Sequence, residues 1–375
     1  VSVLHLAQPQ QYVSPVVPNA SHTPSRKRPL LRALSSALVL ALAALHHARP
    51  AKAHDCTPPS GLSPCVDADT LWLSADTNRF VGIPAAAVEP SQPLRVGAAL
   101  SYLSRPVILT AASPDPAGRE IEVIDYAYQL TWLYSHAFGS RVVLNAALPA
   151  TINQSGAGVE GATTQAGRPL PATALRDPRL GVGLVLLQPK QGRLRGLRVQ
   201  SRLGLALPLG QEDRLAGGRS ATLAPTLVLE LCRGIVCAAS ELGARLRQTS
   251  ELGGARVGSQ ALTSLGLGID VLRPARLSLV AETWMLPTLV SQTHARGTQE
   301  PATEAALVPS EWLVSVRSLP FSGGELAVQL GAGSGIPLST ERRAGERTEH
   351  FTGATAAALR VVATIKYAPA VGPRP

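Results

Sequence analysis

Beyond residue 53 this chain has no run of 18 consecutive apolar residues, although its mean hydropathy is positive at +0.13. A membrane-crossing helix needs about 20 such residues, so none is expected. The apolar side chains come instead in short pieces with a period of two, which places them on one face of an extended strand. About twelve such segments follow residue 93. They span roughly 94–103, 120–137, 140–150, 178–188, 197–209, 220–232, 235–249, 260–272, 276–287, 310–320, 324–335 and 354–368.

Around Arg198 the alternation is plain. Val199, Ser201, Leu203, Leu205, Leu207 and Leu209 share one face; Arg198, Gln200, Arg202, Gly204 and Ala206 share the other. The last segment sets Leu359, Val361, Ala363, Ile365 and Tyr367 against Arg360, Val362, Thr364 and Lys366. A soluble sandwich of two sheets shows the same pattern. Two further features favour a barrel.

One is the length of the connections. Long ones (104–119, 151–177, 250–259, 288–309, 336–353) and the medium-long 210–219 alternate with tight or medium ones, at Gly139, 189–196, Arg233-Gly234, Arg273-Pro274-Ala275 and Phe321 to Gly323. Outer-membrane barrels combine short periplasmic turns with long external loops. With the N-terminus starting in the periplasm, every odd-numbered connection should be long, as it is. An even strand count returns the C-terminus to the same side.

The other feature is the content of the polar face. Arg95, Arg141, Arg179, Arg198, Arg202, Arg245, Arg247, Arg317, Arg360 and Lys366 share it with Asp125, Glu230, Glu241, Asp270, Glu282 and Glu325, with Gln200, Gly and Ala between. The opposite face is almost uncharged. In a barrel the apolar face meets lipid and the charged face lines a lumen where opposite charges pair. The expectation is therefore an all-β chain: an antiparallel, up-and-down transmembrane β-barrel of about twelve strands over 94–369, with a tail at 370–375. Tyr102, Tyr126, Trp132, Tyr134, Trp312 and Tyr367 fall on the apolar face, mostly near strand ends where aromatic girdles lie.

The first 93 residues differ in kind. Arg26-Lys27-Arg28, an apolar run from Leu30 to Leu45 and Ala51-Lys52-Ala53 form the three parts of a secretory signal, cleaved before His54 and preceded by an extension. Residues 1–53 carry six of the basic residues and no acid, so the net +10 of the chain falls to about +4 without them. A nucleic-acid partner is not expected, because its basic stripe would belong to the folded part. Residues 54–93 are rich in Pro, Asp and Ser, and read as a periplasmic lead-in or as a plug inside the lumen.

Export agrees with the cysteines. Cys56 with Cys65, and Cys232 with Cys237, read as two local disulfides, since zinc spacing is absent. The second pair flanks the turn at Arg233-Gly234, with the facing parity of Glu230 and Glu241.

From Leu94 the chain resembles the barrel module that precedes a peptidoglycan-binding OmpA-like domain in some outer-membrane proteins. The likeness rests on Leu94-Arg95-Val96-Gly97-Ala98, Asp177-Pro178-Arg179-Leu180-Gly181, Leu205-Ala206-Leu207-Pro208-Leu209-Gly210 and Ser220-Ala221-Thr222-Leu223-Ala224-Pro225. It implies a porin-like or transporter-like protein. The departure is that no peptidoglycan-binding domain follows residue 369, so the chain is read as barrel-only or truncated.

Catalytic chemistry is not expected. His136, His294 and His350 are the barrel-region histidines; none stands two residues before a serine, as in outer-membrane phospholipases, and none has an obvious base and orienter. Gly331-Ala332-Gly333 lacks a following Gly-Lys-Ser/Thr, and Glu300 and Glu304 sit in no calcium-loop pattern. No cofactor or metal is expected. The partners expected are outer-membrane lipid and small solutes passing an Arg/Glu lumen, with weak anion preference. The runner-up is a non-conducting barrel for structure or adhesion.

Overall fold

The computed structural model describes residues 63–370 except 78, 112–118, 160–169, 190, 192–193, 253–254, 273–275, 291–307, 320–325, 337–342, 345–346 and 349–355. The segment expected to be a secretory signal, Cys56, Glu300, Glu304, Glu325, His294, His350 and most of the tail lie outside the described residues.

Twelve long strands run in chain order: β1 (Leu94–Ala111), β2 (Arg119–Phe138), β3 (Val142–Ser155), β4 (Arg179–Leu187), β5 (Leu197–Ala206) and β6 (Thr222–Arg233). They continue with β7 (Val236–Arg245), β8 (Gln260–Leu272), β9 (Leu277–Met285), β10 (Ser310–Ser318), β11 (Leu326–Gly335) and β12 (Leu359–Tyr367). Each pairs antiparallel with the next, and β12 returns to β1 from Val96↔Tyr367 to Ser104↔Leu359. The sheet therefore closes into a barrel and leaves no edge strand.

Burial decides between barrel and sandwich. On β12, Leu359, Ile365 and Tyr367 are 44%, 50% and 43% exposed, whereas Arg360 and Lys366 are 1% and 3% exposed. Other strands repeat this: Leu180, Leu184, Leu203, Leu265, Leu267, Leu279, Val314 and Leu330 face outward, while Gln200, Glu241, Glu282 and Arg317 are buried within. A sandwich would do the reverse. Burying one Leu or Ile is worth about 1.5–3 kcal/mol, and this wall leaves that gain uncollected around its whole girth. Soluble monomers rarely expose apolar patches beyond a few hundred Å². A hydrocarbon surround fits such a wall, because a closed barrel satisfies its own backbone.

Several boundaries differ from expectation, among them the end of β3 at Ser155, not 150, and that of β7 at Arg245, not 249. β1 and β2 extend past the expected ends at 103 and 120, to Ala111 and Arg119, as a two-stranded ribbon. Arg105 at φ +44 and the register shift between Ser104 and Val107 form a bulge before that extension. The bulge breaks the alternation: Arg105 is exposed although it shares the parity of buried Leu103, and Pro106 and Val107 are buried side by side, so a reading by parity stops there. β12 begins at Leu359, not 354, within the scatter of strand ends.

The long connections share one end of the barrel. There Leu103, Val107, Val123 and Ile124 of the ribbon pack with Leu170, Leu215, Leu252, Val257 and Ala357 from four connections, and with Val66 and Ala68. This apolar cluster ties the loops together over the mouth.

Candidate functional site

Residues 63–93 run the length of the lumen. At the loop end the Ser63 amide donates to the Glu251 carbonyl, and Val66 and Ala68 join the apolar cluster. At the turn end Val88 packs on Val143 and Val185, and the Pro93 carbonyl accepts from Ala137 before β1 begins. Such a segment has no ladder to satisfy its backbone, and buried N–H and C=O groups need partners. Its own side chains supply some. Asp67 accepts the Asp69 amide at 3.1 Å, Asp69 the Leu71 amide at 3.0 Å and Thr77 the Arg79 amide at 3.1 Å.

Barrel side chains supply the rest. Glu282 accepts the amides of Val81, Gly82 and Ile83 at 2.6, 2.9 and 3.3 Å, and Glu230 accepts that of Ala86 at 3.3 Å. Lys366 donates to the carbonyls of Ser74 and Thr77 at 2.8 and 2.9 Å. Arg245 donates to the Thr70 carbonyl at 2.9 Å, Gln188 to that of Val88 at 3.2 Å, and Arg95 to that of Asp76.

Charge pairs bind the same segment. Near the loop end Asp69 lies 3.0 Å from Arg176 and 2.8 Å from Arg360, and Arg360 also reaches Glu311 at 2.7 Å. Arg176 also pairs with Asp67. Deeper, Asp76 pairs with Arg202. Toward the turn end Arg79 meets Asp270 at 3.1 Å.

The sequence candidates are thus placed as follows. Arg95, Arg179, Arg202, Glu230, Arg245, Asp270, Glu282, Arg360 and Lys366 touch the segment or its side chains. Arg198 reaches Glu230 at 3.1 Å, Gln200 accepts from Arg202 at 2.8 Å, and Arg317 donates to Ser278 at 2.7 Å. Glu241 is buried inward. Arg247 caps the loop end, donating to the Gly258 carbonyl at 3.0 Å and to Gln260 at 2.8 Å. Arg141 does not sit in a strand. β3 starts at Val142, because Gly139 at φ +62 makes the turn, and Arg141 is exposed there.

Sequence reasoning passed over Asp67, Asp69, Trp72, Asp76, Arg176 and Glu311. Glu311 shares the parity of Arg317 and was legible from it. The three Asp residues had only a compositional signal, an acidic stretch preceding an Arg-rich lumen.

Trp72 sits between two cations, with Arg179 5.4 Å and Arg245 4.4 Å from its ring centroid. Beside it a cavity of about 100 Å³ is lined by Asn145, Gly181, Arg202, Glu241 and Glu282 among others. A second space of about 30 Å³ lies against Asp67, Asp69 and Asp177.

The disulfide expected between Cys232 and Cys237 is present. Its Cα atoms are 4.1 Å apart, closer than the usual disulfide separation of about 5.5–6 Å. That is the narrow spacing of a pair without mutual hydrogen bonds, and the Cys232 amide indeed donates to Gly196. Cys65 is disulfide-bonded as well. His136 stacks edge-on against Phe138 at 4.6 Å, with the outward parity of Tyr134.

No family model and no curated protein matches this chain. Among solved structures it is similar to an outer-membrane channel from Pseudomonas putida F1, at 10% identity and a TM-score of 0.49, over 75% of this chain and 97% of that one. The NanC porin is similar at 8% identity and a TM-score of 0.40, over 74% and 100% of the two chains. The Ralstonia pickettii toluene transporter TbuX follows at 10% and 0.33, over 75% and 92%. None of the three singles out the OmpA-like module.

Proposed function

We propose that this protein is an outer-membrane barrel for passage of small solutes, held shut in this form by its own residues 63–93. One observation carries the reading. The wall is apolar outside and charged inside, and the lumen is filled by a segment whose hydrogen bonds and ion pairs to the wall accompany apolar packing of Leu71, Leu73, Phe80, Val81 and Ile83. The polar contacts are of a kind that exchanges with water and permeating ions. The secretory signal at 1–53 supplies export. Solutes would pass along the inward Arg and Glu side chains, which impose a field on them. Catalysis forms no part of the reading.

Planar bilayers test it. Wild-type protein should conduct rarely, and the Asp69→Asn/Asp76→Asn variant should stay open at least tenfold longer, because Arg360, Arg176 and Arg202 lose plug partners. Steady silence from both would move the protein to the non-conducting class. Orientation has its own test. With a membrane-impermeant maleimide, Asp213→Cys at the loop end should label on intact cells. Glu89→Cys at the turn end should label only after the outer membrane is permeabilised. The reverse pattern would refute an outward-facing loop end.

A further inference from the structure

We propose that the lumen holds a binding site for a small oxyanion, a phosphate or a carboxylate, beside Trp72 and between Arg179 and Arg245. The site stands whether or not the barrel conducts.

The argument begins with unpaired charge. Arg179 and Arg245 are 8% and 6% exposed, yet neither forms an ion pair among the described residues. Of the acids around them, Asp67 and Asp69 are committed to Arg176, Asp69 again to Arg360, and Glu241, which lines the same cavity, forms no ion pair with either among the described residues. What they have is a carbonyl each, of Leu71 at 3.5 Å and Thr70 at 2.9 Å, and the ring of Trp72. Two like charges held out of water around one ring are costly without an anion. The other buried arginines that grip this segment near the loop end, Arg176 and Arg360, each have carboxylate partners.

Unsatisfied donors and open space belong to the same residues. Nε of Arg179, Nε of Arg245 and Nδ2 of Asn145 are buried without a hydrogen-bond partner. All three residues line the cavity of about 100 Å³. One ordered water takes on the order of 15 Å³ of such space, so a small oxyanion fits with room for solvation. Guanidinium N–H groups match the oxygens of carboxylate and phosphate, and such charge-assisted bonds are the strong ones. Arg202 lines the cavity too but is paired with Asp76, and Glu282 there is occupied by three plug amides. Glu282 and Glu241 are both opposing charges on this wall, and of the two Glu241 is the one that accepts no plug amide. It sets an upper limit on affinity and provides a handle for the test.

Isothermal titration of the full-length protein, refolded in detergent at constant ionic strength, decides the matter. Inorganic phosphate and acetate are the two probes. One should bind saturably at one per barrel, and the tighter of the two identifies the source. Arg179→Gln and Arg245→Gln, which keep a donor for the plug carbonyls, should each weaken binding at least tenfold. Glu241→Gln should tighten it at least threefold, and heat-modifiable gel mobility reports whether each variant folds. Should the arginine variants fail to fold, Glu241→Gln carries the test alone. Absence of saturable binding by both probes overturns the site, as does affinity unchanged by the folded variants. A bilayer experiment without conductance leaves this result untouched, since the titration involves neither membrane nor flux.

Discussion

The two halves of the luminal segment are held by different chemistry. In the loop half, its own carboxylates Asp67 and Asp69 reach wall arginines, and side chain meets side chain. In the turn half the wall mostly grips the backbone: Glu282 takes three amides, Glu230 one, and Lys366 two carbonyls. The first half depends on what residues the segment carries. The second depends on what the wall carries and on the plug's apolar side chains, since Phe80, Ile83 and Ala86 pack on Val228, Ala239 and Val280. A segment that must open would release first where its attachment is electrostatic and nearest the external mouth.

Substitutions can break this contrast. Glu282→Ala should cost most, because three amides lose one acceptor and each orphaned group costs about 1–3 kcal/mol. The urea midpoint of the refolded barrel and exchange protection at Val81, Gly82 and Ile83 would show it, with Glu282→Gln intermediate. Unchanged protection would mean that the turn half is not held as described. Arg360→Gln follows at about 3–5 kcal/mol, the cost of leaving Asp69 and Glu311 buried without their cation. Its loss of protection should stay near residues 67–72 and spare 81–86. A uniform loss would erase the distinction between the halves.

A pH dependence sharpens the loop half with the smallest effect. Burial, aided by nearby Asp67, pushes the Asp177 carboxyl up to about 6, against the amides of Gly218 and Gly210 at 2.8 Å. Unfolded, it would titrate near 3.8. The folded form then holds the extra proton between about pH 4 and 6. Its contribution to stability is full below the lower value and is lost as pH rises through the upper one. The span is at most about 3 kcal/mol and less after screening at the rim. Asp177→Asn, neutral throughout, should flatten exchange at Gly210 and Gly218 across that window. A persisting slope would assign it to another group.

Much of the wall was legible in advance. Arg198, Gln200 and Arg202 alternate with Val199, Ser201 and Leu203, and a period of two needs only neighbours along one strand. The exceptions have local causes. A bulge at Arg105 turned that side chain out against the parity of Leu103 and left Pro106 and Val107 buried side by side, and a glycine turn removed Arg141 from β3. The site was less legible. Glu311 could be found by parity, but Trp72 between Arg179 and Arg245 could not, because no periodicity links position 72 to either.

What the chain determined by itself is therefore the wall: strands, facing and the alternation of short and long connections, each read from residues close in sequence. Closure and filling belong to the tertiary structure. Asp69 meets Arg360 across 291 positions, and Glu282 meets Val81 across 201. Backbone groups without regular structure take whatever partners the closed lumen brings near, and only the assembled barrel sets which those are.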